Sequence, residues 1–82
     1  MSKQEKLLAK LYSNPKNIKW TELETLLTSI GYELKQGSGS RVKFFHPKYR
    51  LIMLHRPHPG PNVDTGAIKD VIAKLEEIGI KP

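Results

Sequence analysis

The sequence predicts an α+β domain in which helices cover one face of a three-stranded antiparallel sheet. Apolar residues recur at helical spacing near both ends, and the period falls to two in the middle. Short Gly- and Pro-rich turns separate the middle segments. The 82 residues leave room for one small domain, 1–82, whose core needs good local structure to hold it.

The first helix follows Ser2-x-x-Glu5, a capping-box pattern, and sets Leu7, Leu8, Leu11 and Tyr12 on one face. Asn14-Pro15 ends it, because proline disfavours a helical residue before it. Thr21-x-x-Glu24 is a second capping-box pattern. Leu23, Leu26, Leu27 and Ile30 follow it at i, i+3, i+4 and i+7, and Gly31 is the expected stop.

Tyr32 and Leu34 then alternate with Glu33 and Lys35 as a first strand, and Gly37-Ser38-Gly39-Ser40 makes a turn. In the second strand Val42 and Phe44 alternate with Arg41, Lys43 and Phe45. If the first pair faces the core, the other three face outward together. His46-Pro47-Lys48-Tyr49 turns the chain into a third strand, Arg50–His55. The stiff segment His55–Pro61 crosses to the last helix. That helix is capped by Asp64 or Thr65, carries Ile68, Val71, Ile72, Leu75 and Ile78, and stops at Gly79. The order is α-α-β-β-β-α.

The formal charge is +6, and its distribution matters more than its size. Between Leu34 and Val63 there is no acidic residue, while Lys35, Arg41, Lys43, Lys48, Arg50 and Arg56 all lie there. The remaining residues carry eight cations and eight anions, so the centre holds the whole net charge. All three histidines, His46, His55 and His58, sit in it as well. A one-signed segment of this kind favours a polyanion, most often nucleic acid.

Several functions are disfavoured. Without cysteine there are no disulfides, thiolate metal sites or thiol nucleophiles. The longest apolar run, Leu51–Leu54, is far short of the ~20 residues that span a bilayer. No signal peptide follows Met1, so a cytoplasmic chain without membrane association is expected. The Gly37–Ser40 turn leads into a strand, not a helix, and is no phosphate-binding P-loop. Zinc on His55-x-x-His58 lacks a third ligand beyond Asp64, and a basic segment without carboxylates argues against two-metal chemistry. Neither metal nor cofactor is expected.

The segment from Trp20 to Ile80 resembles the HicA toxins, small mRNA-cleaving partners in bacterial toxin–antitoxin pairs. The resemblance rests on Leu26-Leu27-x-x-Ile30-Gly31-Tyr32, then Gly39-Ser40 followed by Val42-x-Phe44, then His46-Pro47. Pro57-His58, Gly66-x-Ile68-x-x-Val71-Ile72 and Glu77-Ile78-Gly79-Ile80 complete it. It implies an α-β-β-β-α core over 20–80, like that of double-stranded-RNA-binding domains, with residues 1–19 as an added N-terminal helix. It further implies metal-free cleavage of mRNA by a histidine, and a HicB-like antitoxin that occludes the active face. Many members place the catalytic histidine directly after the Gly-Ser on the second strand. Here that position is Arg41, as in a branch that reads Gly-Ser-Arg and often carries His-Arg-Pro-His, found here at 55–58.

RNA cleavage without metal needs a base for the 2′-hydroxyl proton and an acid for the leaving 5′ oxygen. Imidazole, with an ordinary pKa of ~6.5, serves both roles. His58 and His55 are the candidate catalytic residues. Arg41, Lys43, Arg50 and Arg56, with the Ser40 hydroxyl, are candidates to hold RNA phosphate, arginine through its bidentate fork. His46, in a turn before proline, is expected to be exposed and inert. Phe45 and Tyr49 are candidates to stack on unpaired bases. Two alternatives stand beside a ribonuclease: a non-catalytic module binding single-stranded RNA on the same fold, and a basic subunit that docks an acidic protein.

Overall fold

The computed structural model describes residues 3–37, 39, 41–57 and 60–80. Its elements are α1 (Lys3–Ser13), a 3₁₀ turn at Pro15–Asn17, α2 (Trp20–Ile30), β1 (Glu33–Gln36), β2 (Arg41–Phe45), β3 (Ile52–His55) and α3 (Thr65–Glu77). The expected element order is present. Ser2, with its share of the first capping pattern, lies outside the described residues.

The sheet is antiparallel in the order β1-β2-β3. Its inward residues Val42, Phe44 and Ile52 are fully buried, and Leu54 nearly so. They share one apolar core with Leu23, Leu26 and Leu27 of α2 and Ile68, Val71 and Leu75 of α3. The helix α1 buries Leu8 and Leu11 and lies beside Ile18, Leu23 and Leu26. The Tyr12 hydroxyl donates to the Ile80 carbonyl at 3.0 Å, joining α1 to the tail behind α3.

The start of α2 corrects the sequence expectation. Thr21-x-x-Glu24 does not cap the helix; Trp20 is its first residue, and the Glu22 carboxylate accepts the Lys19 N–H at 3.0 Å. The Trp20 N–H donates at 2.9 Å to the carbonyl of Pro61, a tertiary acceptor that lets the helix begin earlier. Glu22 also accepts from Lys10 Nζ at 2.7 Å. That bond first, and the Lys19 N–H second, hold its carboxyl below the ordinary value.

Both later helices end as expected at glycine. Gly31 (φ 112) and Gly79 (φ 85) take the left-handed turn, with Tyr32 N–H reaching Leu27 O and Ile80 N–H reaching Leu75 O. The Asp64 side chain caps α3 by accepting from Gly66 N–H at 3.0 Å. Two strand limits move. Tyr32 closes α2 and is buried, so β1 begins at Glu33. Arg50 and Leu51 stand outside β3, and the Arg50 carbonyl accepts from the Tyr32 hydroxyl at 3.2 Å instead of joining the ladder.

Candidate nucleic-acid interface

Strand alternation builds the outer face of the sheet. Because Val42 and Phe44 are locked into the core, Arg41, Lys43 and Phe45 all point outward and are exposed. Met53 and His55 do the same on β3. A one-residue slip would bury these groups, so the apolar inner face fixes their register.

That register puts Arg41 opposite His55 and Lys43 opposite Met53, with Lys35 on the far side of Lys43. Directly opposed residues have Cβ atoms about 4.5–5.5 Å apart, within reach of a single phosphate. Arg41, Lys43, Met53 and His55 line a shallow recess of about 370 Å³. Among the described residues, no carboxylate forms an ion pair with Arg41, Lys43 or Lys35.

Sequence reasoning named Phe45 on this surface but missed the exposed Leu51 and Met53. Phe45, Leu51 and Met53 are 47%, 41% and 55% exposed. Outward parity was the available signal for Met53, which alternates with buried Ile52 and Leu54. The Lys35 ammonium lies 5.5 Å from the centroid of the Phe45 ring. A flat apolar strip bordered by cations suits a chain of bases and phosphates.

Other candidates fall elsewhere. Arg50 lies beyond the opposite end of β3 from His55, 3.7 Å from Glu77 in an exposed pair. Arg56 turns to the helix side, its guanidinium 5.8 Å from the Trp20 ring centroid and 3.5 Å from Gln36 Oε1. Ser40 and His58 lie outside the described residues.

His46 is half-buried, not exposed. Its ring meets Tyr32 edge-on at 5.1 Å and lies 4.3 Å from Tyr49, and its Nδ1 accepts the Lys48 N–H at 3.0 Å. A Cβ on Gly31 would come within 2.9 Å of His46 Nε2, so this imidazole fills the space that glycine leaves. With its ring against His46, Tyr49 is a poorer stacking platform than Phe45. Among the described residues, no three His, Cys, Asp or Glu side chains gather as a metal-ligand set.

The arrangement thus pairs an imidazole with a guanidinium across two strands, on a face free of helices. The family model for the HicA toxin of bacterial toxin–antitoxin matches residues 20–80. The chain belongs to the HicA toxin family. Neither a curated protein nor a solved structure matches it significantly.

The HicA match opens on Trp20, the first residue of α2, and closes on Ile80, which completes the turn after α3. Inside it lies the α-β-β-β-α arrangement of a double-stranded-RNA-binding-like fold, and α1 is an addition in front. HicA membership makes an antitoxin the expected class of partner. Among the described residues, no helix is long and apolar enough to cross a membrane.

Proposed function

We propose that the chain is a ribonuclease toxin that cleaves mRNA on the outer face of its sheet, without a metal. One observation carries this reading: His55 stands directly opposite Arg41. The resemblance puts the HicA strand histidine at Arg41's position, and the register supplies an imidazole one strand away. Arg41 and Lys43 hold the scissile phosphate and the charge that develops on it. His55 and His58, three residues apart, exchange the two protons. The base takes the 2′-hydroxyl proton, the 2′ oxygen attacks phosphorus, and the P–O5′ bond breaks as the acid protonates the leaving oxygen. Phe45 and Met53 support the flanking bases.

The direct test is incubation with single-stranded RNA in excess EDTA. Cleavage is expected to persist and to leave 2′,3′-cyclic phosphate and 5′-hydroxyl ends. Loss of activity in EDTA, restored by a divalent cation, would overturn the chemistry. A wild-type protein that binds RNA but leaves it intact would be the non-catalytic module instead.

Binding should also depend steeply on salt. For single strands the logarithm of affinity falls with that of salt by about 0.7 per phosphate neutralised, so several contacts give a large drop between about 50 and 200 mM. Lys43→Gln should weaken binding to every sequence alike, because phosphate contacts carry no sequence information. A flat salt response would favour the protein-docking reading.

The antitoxin, HicB-like in this reading, covers the same face. Its cover must meet the cations with acidic groups and bury Phe45, Leu51 and Met53. A structure of the complex with this face open would contradict that placement.

A further inference from the structure

The strongest unassigned feature lies behind the sheet, at the end where β3 leaves it. Consecutive residues diverge there: His55 faces outward, whereas Arg56 reaches back to Trp20, which itself touches the core residue Phe44. Arg56, Lys19, Trp20, Pro57 and Pro61 line an open recess of about 230 Å³. We propose that this recess binds one nucleotide of the RNA strand whose scissile phosphate lies at Arg41 and His55; the inference rests on the function proposed above.

Charge supports it first. Arg56 has only the neutral partners Trp20 and Gln36, and no carboxylate pairs with it or with Lys19 among the described residues. Glu22, the nearest acidic residue in sequence to Lys19, is already bound to Lys10 at 2.7 Å. Arg56, without a carboxylate bound to it, beside an indole and two prolines, matches a group that is flat on one side and anionic on the other, and Lys19, whose charge Glu22 also feels, adds to the positive field. A nucleotide has that chemistry; a lone acidic side chain has only half of it. Planar guanidinium and aromatic groups stack on bases without regard to sequence.

The Arg56 guanidinium and the Trp20 ring stand together at the recess, so a base would meet those planar groups and not the Trp20 Nε1, which has almost no accessible surface. Continuity supplies the path, because the strand need only turn around the end of β3 between His55 and Arg56.

Trp20 is the single tryptophan, so its emission reports on this recess and on the core residue Phe44 beside it, and the Arg56 variants separate the two. The full chain is titrated with a 2′-O-methyl oligouridylate of about twelve nucleotides, which cannot be cleaved and is long enough to cross both sites. Overall binding is followed separately by the anisotropy of a dye on the oligonucleotide. Trp20 emission should change along the same isotherm. Lys19→Gln with Arg56→Gln should reduce the salt slope by about 0.7, one single-strand phosphate contact, and weaken binding at low salt. Arg56→Lys, which keeps the charge and removes the planar fork, should preserve the slope and diminish the Trp20 response. It serves as the decisive variant if the double substitution unfolds.

An unchanged slope and affinity in the double variant, alongside weakened binding in Arg41→Gln with Lys43→Gln, would overturn the recess and leave the outer-face site standing. A Trp20 response to an acidic protein partner but not to RNA would overturn it in favour of protein docking. No anisotropy change in the wild type would overturn the ribonuclease reading, and the recess with it.

Discussion

Replacing His55 with alanine is expected to lower RNA cleavage by about 10²–10⁴-fold, the usual worth of a general acid or base. RNA binding should change little, because Arg41 and Lys43 remain. The residue is exposed on β3, so the folded state should melt at nearly the wild-type temperature. His58→Ala should lose activity to a similar degree if the two histidines share the proton transfers. Arg41→Ala should impair both binding and turnover, since it would hold the phosphate in ground and transition states alike. Single-turnover cleavage and equilibrium binding, measured side by side, separate these effects. Full cleavage by both histidine variants would put the chemistry elsewhere on the molecule.

Leu11→Ala should cost about 2–5 kcal/mol, the range for emptying a closely packed leucine site. Leu11 is 1% exposed and lies on the buried side of α1 beside Leu23 and Leu26 of α2. A chain of this length has roughly 4–12 kcal/mol in total, at ~0.05–0.15 kcal/mol per residue. One methyl-rich side chain in the added helix therefore carries a large part of the stability. A fragment starting at Trp20, although it spans the whole family match, should expose Ile18's former neighbours and aggregate or unfold. Urea melts of the variant and the fragment test this. A fragment as stable as the full chain would show that α1 is only an appendage.

The helical stripes and the Val42–Phe44 alternation were legible in the sequence because periodicity records which face is buried. Gly31, Gly79 and Asp64 were legible because a left-handed residue or a side-chain cap is a local requirement. The true start of α2 was hidden, since the acceptor for the Trp20 N–H is the Pro61 carbonyl, far along the chain. The shortened β3 was hidden for the same kind of reason: the Tyr32 hydroxyl takes the Arg50 carbonyl.

The candidate site was partly legible. Parity placed Arg41 and Lys43 on one face, but a run of like charge does not say which side of a sheet each member joins. Arg50 and Arg56 went to an opposite end and an opposite side. The pairing of Arg41 with His55 depends on register, which the core and turns set together. His46 looked like a surface turn residue because its two aromatic neighbours, Tyr32 and Tyr49, become neighbours only in the folded chain.

The bond from the Tyr12 hydroxyl to the Ile80 carbonyl has a consequence for timing during synthesis. It joins residues 68 positions apart, so it closes only after Ile80 has been made. The sheet that carries Arg41 and His55 is complete in sequence well before α3, whose Ile68, Val71 and Leu75 help to cover its inner face. Until α3 is made, that inner face is covered by α2 alone, and a small sheet depends on such packing for its stability. Vectorial synthesis therefore leaves the outer face of the sheet without its full support until α3 has been made.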